Sequence, residues 1–121
     1  MLCSGRLKFV GRVPKSAIES GELVRLKYPP FDVLVTMEDG EPTAIEDACN
    51  HAGASLAAGD RSTMRPHCVV CPLHGYVFDL RTGAIVIPQG LCDDQRKFVT
   101  DVEGDEIVVW DPFEVKLAGV P

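Results

Sequence analysis

The sequence has no apolar run long enough to cross a bilayer, which argues against a transmembrane helix. It also has no basic excess: 12 lysines and arginines stand against 18 aspartates and glutamates, a net charge of −6. That balance argues against nucleic acid, whose phosphates need a basic face, and against an anionic membrane surface. Residues Met1 to Arg12 lack the apolar core of a secretory signal and contain no twin arginine. The expectation is a cytoplasmic chain, folded as one domain over residues 1–121, because two separate cores would each be too small. Histidine is scarce, with three in the chain. Cysteine is odd in number, with five, and in a reducing compartment these are thiols or metal ligands rather than disulfides.

What charge there is lies unevenly. Residues 6–27 carry Arg6, Lys8, Arg12, Lys15, Arg25 and Lys27 against Glu19 and Glu22. Residues 93–114 carry eight acidic residues against Arg96 and Lys97. Such polarity either steers partners or marks two solvated faces.

The apolar pattern is strand-like. Leu7 to Val13 and Leu23 to Tyr28 alternate apolar and basic residues. Phe31 to Met37 is apolar and β-branched, Asp39-Gly40 is a hairpin turn, and Pro42 to Asp47 resumes a strand. Residues 76–80 and 84–87 pair around Arg81-Thr82-Gly83. Lys97 to Val102 and Glu106 to Trp110 flank Glu103-Gly104-Asp105. Only Pro14 to Ser20 reads as helical, with proline near its start and Gly21 at its end. The pattern predicts an all-β domain of short antiparallel strands.

Residues 48–75 break the pattern. They are rich in glycine, proline and alanine, and a loop of this length is uncommon unless it is functional. They hold all three histidines and three of the five cysteines. Cys49-Asn50-His51 is followed, after 19 residues, by Cys71-Pro72-Leu73-His74. Each motif delivers one thiolate and one imidazole from one loop tip. Two such tips facing each other suit a binuclear cluster with two thiolates on one iron and two imidazoles on the other. Zinc is the rival: Cys68, Cys71 and His74 read as Cys-x-x-Cys-x-x-His, with His67 adjacent, although that set strands Cys49 or His51.

Cys49-Asn50-His51-Ala52-Gly53-Ala54-Ser55-Leu56 and Cys71-Pro72-Leu73-His74-Gly75-Tyr76-Val77-Phe78-Asp79 resemble the two boxes of Rieske proteins. Arg81-Thr82-Gly83 and Val102-Glu103-Gly104-Asp105-Glu106 are also similar to Rieske ferredoxins, so the likeness spans nearly the whole chain. It implies a Rieske-type fold: an antiparallel base with an inserted, loop-rich cluster-binding subdomain at about residues 45–90. It further implies a [2Fe–2S] cofactor held by Cys49, His51, Cys71 and His74, with Pro88 on a loop over the cluster. The gap between boxes is slightly longer than usual, and Thr63 to Cys68 holds the extra length. His67 and Cys68 are expected to be bystanders, and Cys3 and Cys92 receive no role.

Rieske proteins that oxidise quinols brace the cluster with a disulfide, and Ala54 and Leu73 stand at the matching positions here. They also place serine and tyrosine hydroxyls near the sulfurs, where this chain has Tyr76 and Phe78. Donors to the sulfurs stabilise the reduced state. Their loss predicts a potential toward the low end of the Rieske span, around −150 mV. A remaining ring proton on His51 and His74 predicts a pH-dependent potential at alkaline values.

A self-contained oxygenase needs a second iron site of two histidines and a carboxylate, and with His51 and His74 committed to the cluster one histidine is left. There is no glycine-rich nucleotide motif, so flavin and nicotinamide belong to a partner. The expected role is therefore a monomeric electron carrier, not an enzyme. It would take electrons from a flavoprotein NAD(P)H reductase and pass them to a terminal oxygenase. Two other classes stay open: a small Rieske-like subunit of a larger redox enzyme such as nitrite reductase, and a metal-stabilised interaction module.

Overall fold

The structure, a computed structural model, describes residues 7–30, 32–49, 53–73, 75–87 and 94–112. Ten strands follow one another: β1 (Lys8–Pro14), β2 (Val24–Leu26), β3 (Val33–Glu38), β4 (Glu41–Glu46), β5 (Asp60–Arg61), β6 (Cys68–Val70), β7 (Val77–Asp79), β8 (Ile85–Ile87), β9 (Lys97–Glu103) and β10 (Glu106–Asp111). They form a six-stranded sheet in the order β1-β10-β9-β4-β3-β2 and a four-stranded sheet in the order β5-β6-β7-β8. All pairings are antiparallel. Because β4 pairs with β9, the four-stranded sheet is an insertion between two neighbours of the larger one.

Alternation along β3 and β4 explains how the two sheets meet. Val33, Val35 and Met37 face a first core with Ala44, Phe98 and Ile107. Leu34 and its cross-strand partner Ile45 face the other way, into a second core with Leu56, Val69, Phe78 and Leu80. Both are fully buried, and each such side chain contributes roughly 1.5–3 kcal/mol relative to exposure. Further along the same face the side chains turn polar. Thr43 donates from Oγ1 to Leu80 O at 2.8 Å, and Thr36 and Glu38 meet Arg61 of β5.

The expected strands form close to their sequence bounds. The Asp39-Gly40 turn has both residues at positive φ, 52° and 79°, as a type I′ hairpin requires. The expected helix over Pro14–Ser20 does not form. β1 runs through Pro14, and only a single 3₁₀ turn, Lys15–Ala17, fits before Ile18 drops fully buried into the first core. The irregular stretch is less irregular than expected, since it contains β5 and β6. The charge division along the sequence is not a division in space. β1 lies beside β10, and Arg12 bridges Glu103 and Glu106 at 3.1 and 3.3 Å.

Candidate metal centre

Cys49 follows β4, and Cys71 follows β6 directly. Both cysteines open a loop that closes in the same way. The Cys49 N–H donates to Ala54 O at 2.8 Å, and Gly53 N–H returns to Cys49 O at 2.7 Å. The Cys71 N–H donates to Tyr76 O at 2.7 Å, and Gly75 N–H returns to Cys71 O at 3.0 Å. Both glycines sit at φ +73° with open space where a Cβ would be. They are there for the left-handed backbone that lets four residues reverse direction, not for lack of room.

The two sulfur residues end in one place. Cys49 is 2% exposed and Cys71 1% exposed, and both belong to the second core. None of the three described cysteines is in a disulfide. Two thiols from identically closed loops, held dry among aliphatic and aromatic side chains, fit the sulfur half of a two-thiolate, two-imidazole set. His51 and His74 lie outside the described residues, as do Pro88, Cys3 and Cys92.

Cys68 does not join them. It stands two positions from Val70 and opposite Asp79 on β7, whereas Val69, between them, packs with Cys71 in the second core. Strand alternation therefore sends Cys68 to the other face of the sheet. Burial, and then the Asp79 charge, push its thiol pKa up. Cys68 and Cys71 thus leave the strand on opposite faces, which does not favour a zinc chelate using both. Among the described residues no group of three metal-binding side chains is assembled.

His67 has a mechanical place instead. At φ +64° it aims Nδ1 at Glu38 Oε1, 2.9 Å away, and Nε2 at Asp39 Oδ2, 3.4 Å away. Its carbonyl accepts the N–H of Leu80 at 2.7 Å. It fastens the loop before β6 to the β3–β4 turn.

Three supporting residues carry no sequence signal. Asp47, 1% exposed, accepts the Ala57 N–H on Oδ1 at 2.8 Å and the Leu56 N–H on its carbonyl at 2.9 Å, fixing the far side of the Cys49 loop. Gln95 donates from Nε2 to both Glu46 O and Ala48 O at 2.8 Å, pinning the stem of that loop. Arg61 spans the sheets. Of the positions compared with quinol-oxidising proteins, Ala54 and Tyr76 supply the loop-closing carbonyls, Leu73 is 60% exposed, and Phe78 is fully buried without a hydroxyl.

A model of the Rieske [2Fe–2S] domain matches residues 9–91. The chain is 37% identical over 90 residues to the ferredoxin component of biphenyl 2,3-dioxygenase from Rhodococcus jostii, covering 74% of this chain and 79% of that one. Among solved structures it is similar to the ferredoxin of carbazole 1,9a-dioxygenase from Nocardioides aromaticivorans, with TM-score 0.73 and 28% identity over 87% of this chain and 98% of that one. A ferredoxin solved in a complex of reduced oxygenase and oxidised ferredoxin in carbazole 1,9a-dioxygenase matches at TM-score 0.69 and 25% identity, covering 84% of this chain and 91% of that one.

Proposed function

This chain belongs to the Rieske [2Fe–2S] domain family, and from that premise we propose that it is the ferredoxin of a ring-hydroxylating oxygenase system. In this reading it is a monomeric, cytoplasmic, single-domain carrier. It takes electrons from a flavoprotein NAD(P)H reductase and delivers them to a terminal oxygenase. The observation that carries the reading is the pair of matched cysteine loops in a chain related over three quarters of its length to a dioxygenase ferredoxin. That relationship favours a carrier over a subunit of nitrite reductase. No helix among the described residues is long and apolar enough to cross a membrane.

Cys49 and Cys71 would ligate one iron, and His51 and His74 the other. When bound, such a cluster takes up and releases one electron at a time. The chain's own part is to orient and to exclude water. The loop-closing bonds fix each cysteine's backbone, and Leu34, Ile45 and Phe78 line the core that keeps the sulfur side dry. Phe78 offers no donor to a sulfur, and no disulfide joins positions 54 and 73, which supports a potential toward the low end of the family's range.

EPR of the dithionite-reduced protein tests the ligand set. The expected mean g-value is the lower one of two-histidine ligation; a value near that of all-cysteine ferredoxins overturns it. Voltammetry above about +100 mV, in the upper part of the Rieske span, overturns the low-potential reading.

A further inference from the structure

The strands leading into the Cys71 loop carry a groove on their outer face. Val70, Val77 and Ile87 stand opposite one another on β6, β7 and β8, in the last row of the sheet before that loop. They point away from the second core, because the alternate positions Val69 and Phe78 fill it. Residues 62–66 arch beside this row and, with Asp60 and Arg61 of β5, enclose with it a cavity of about 760 Å³. This arch lies in the stretch that lengthens the spacing between the two metal motifs.

The arch is built, not slack. The Ser62 hydroxyl accepts the N–H groups of Met64 and Arg65 at 3.2 and 3.0 Å, and Ser62 N–H donates to Cys68 O at 2.8 Å. His67 then anchors its far end to Glu38. At the crest Met64 is 90% exposed, and Ile87 on the floor is 45% exposed. Arg65 beside them is exposed and has no ion pair among the described residues. A fixed loop that lifts a methionine out of the core does nothing for the chain's own packing.

We propose that this groove seats a segment of the terminal oxygenase, one apolar side chain gripped by Met64 and Ile87 with a neighbouring carboxylate on Arg65. The inference rests on the carrier reading above. An electron acceptor must come close to the cysteine loops, and the groove adjoins one of them. Leu73, on that loop, is itself exposed. Arg65, without an ion pair among the described residues in a chain of net charge −6, gives the occupant its charge. The acceptor is favoured over the reductase because a similar ferredoxin has been solved in complex with its oxygenase. A desolvated apolar anchor with a charged rim is how protein interfaces concentrate affinity and on-rate.

The test is anaerobic stopped-flow oxidation of the reduced holoprotein by its cognate terminal oxygenase, for wild type, Met64→Glu, Ile87→Glu and Arg65→Glu. These side chains are exposed, and each variant is first checked for an unchanged EPR signal and potential. Both apolar replacements should slow electron transfer to the oxygenase about tenfold, the size of a truncated interface anchor. Arg65→Glu should slow it more at low salt than at high salt. Reduction by the flavoprotein reductase should stay within twofold. An unchanged oxygenase rate in all three overturns the groove, and so does an equal loss with both partners. Retention of the apolar probe ANS in the presence of saturating oxygenase overturns it in favour of a small-molecule site. A wild type that cannot reduce the oxygenase at all overturns the carrier reading itself, a distinct result.

Discussion

Arg61, on the four-stranded sheet, is ion-paired with Glu38, on the six-stranded sheet. The same guanidinium donates to Gly21 O at 2.6 Å, Thr36 Oγ1 at 2.9 Å and Met37 O at 3.1 Å. Glu38 is 7% exposed, so removing Arg61 leaves a buried carboxylate with only His67 beside it. Arg61→Ala should cost about 3 kcal/mol or more in thermal or urea unfolding. Adding Glu38→Gln should restore part of that loss, and a double variant as unstable as the single one would contradict the account.

Glycines around the metal loops should divide by cause. A Cβ on Gly59 would lie 2.1 Å from Val70 O, one residue from Cys71, so Gly59→Ala must push β6 aside. It should lower cluster content, read as visible absorbance per chain. Gly53→Ala and Gly75→Ala meet no neighbour and face only the left-handed backbone penalty, about 1–2 kcal/mol. Those variants should still assemble colour.

Sulfur substitutions separate ligand from bystander. Cys71→Ala should abolish the reduced EPR signal. Cys68→Ala should keep both the signal and the iron stoichiometry, because Cys68 faces the opposite side of the sheet. Loss of iron in the Cys68 variant would reopen the zinc-like ligand set.

Stability should fall at both ends of the pH scale, for separate reasons. The Tyr28 hydroxyl donates to Asp111 Oδ2 at 2.6 Å, and burial, that bond and the Asp111 charge push its pKa up to about 12. A raised folded pKa contributes stability that is complete below the usual tyrosine pKa of 10 and lost as pH climbs toward 12. Tyr28→Phe should flatten that alkaline decline in the urea midpoint. Asp32 behaves oppositely. The Tyr28 N–H, 2.9 Å from Oδ1, and then Arg25 hold its carboxyl below the usual range. Its contribution is present above the ordinary aspartate pKa of about 4 and disappears as pH falls below it. Asp32→Asn should weaken the acid slope.

The legible parts were those encoded over a few neighbouring residues. Alternation marked β1 and β2, an apolar β-branched run marked β3, and the turns Asp39-Gly40 and Glu103-Gly104-Asp105 marked the hairpins β3–β4 and β9–β10. Cys49 and Cys71 were visible because two thiol–imidazole pairs are rare in one segment, and the glycine four residues after each cysteine foreshadowed the shared closure. β5 and β6 were missed because they lie among the glycines, prolines and alanines of residues 48–75, a composition that reads as loop. The supports were invisible because their partners are remote in sequence. Gln95 reaches Ala48, Asp47 reaches Ala57, and Arg61 reaches Glu38. Nothing local distinguishes these from ordinary surface polar residues.

β3 has no solvent face: every residue from Val33 to Glu38 is buried. With Val35 against one core and Leu34 against the other, neither can open without stripping a wall from its neighbour. The loops that hold the sulfurs therefore cannot melt privately. Visible colour and far-ultraviolet circular dichroism should vanish in one cooperative transition, and the β3 amides should exchange with solvent only through complete unfolding.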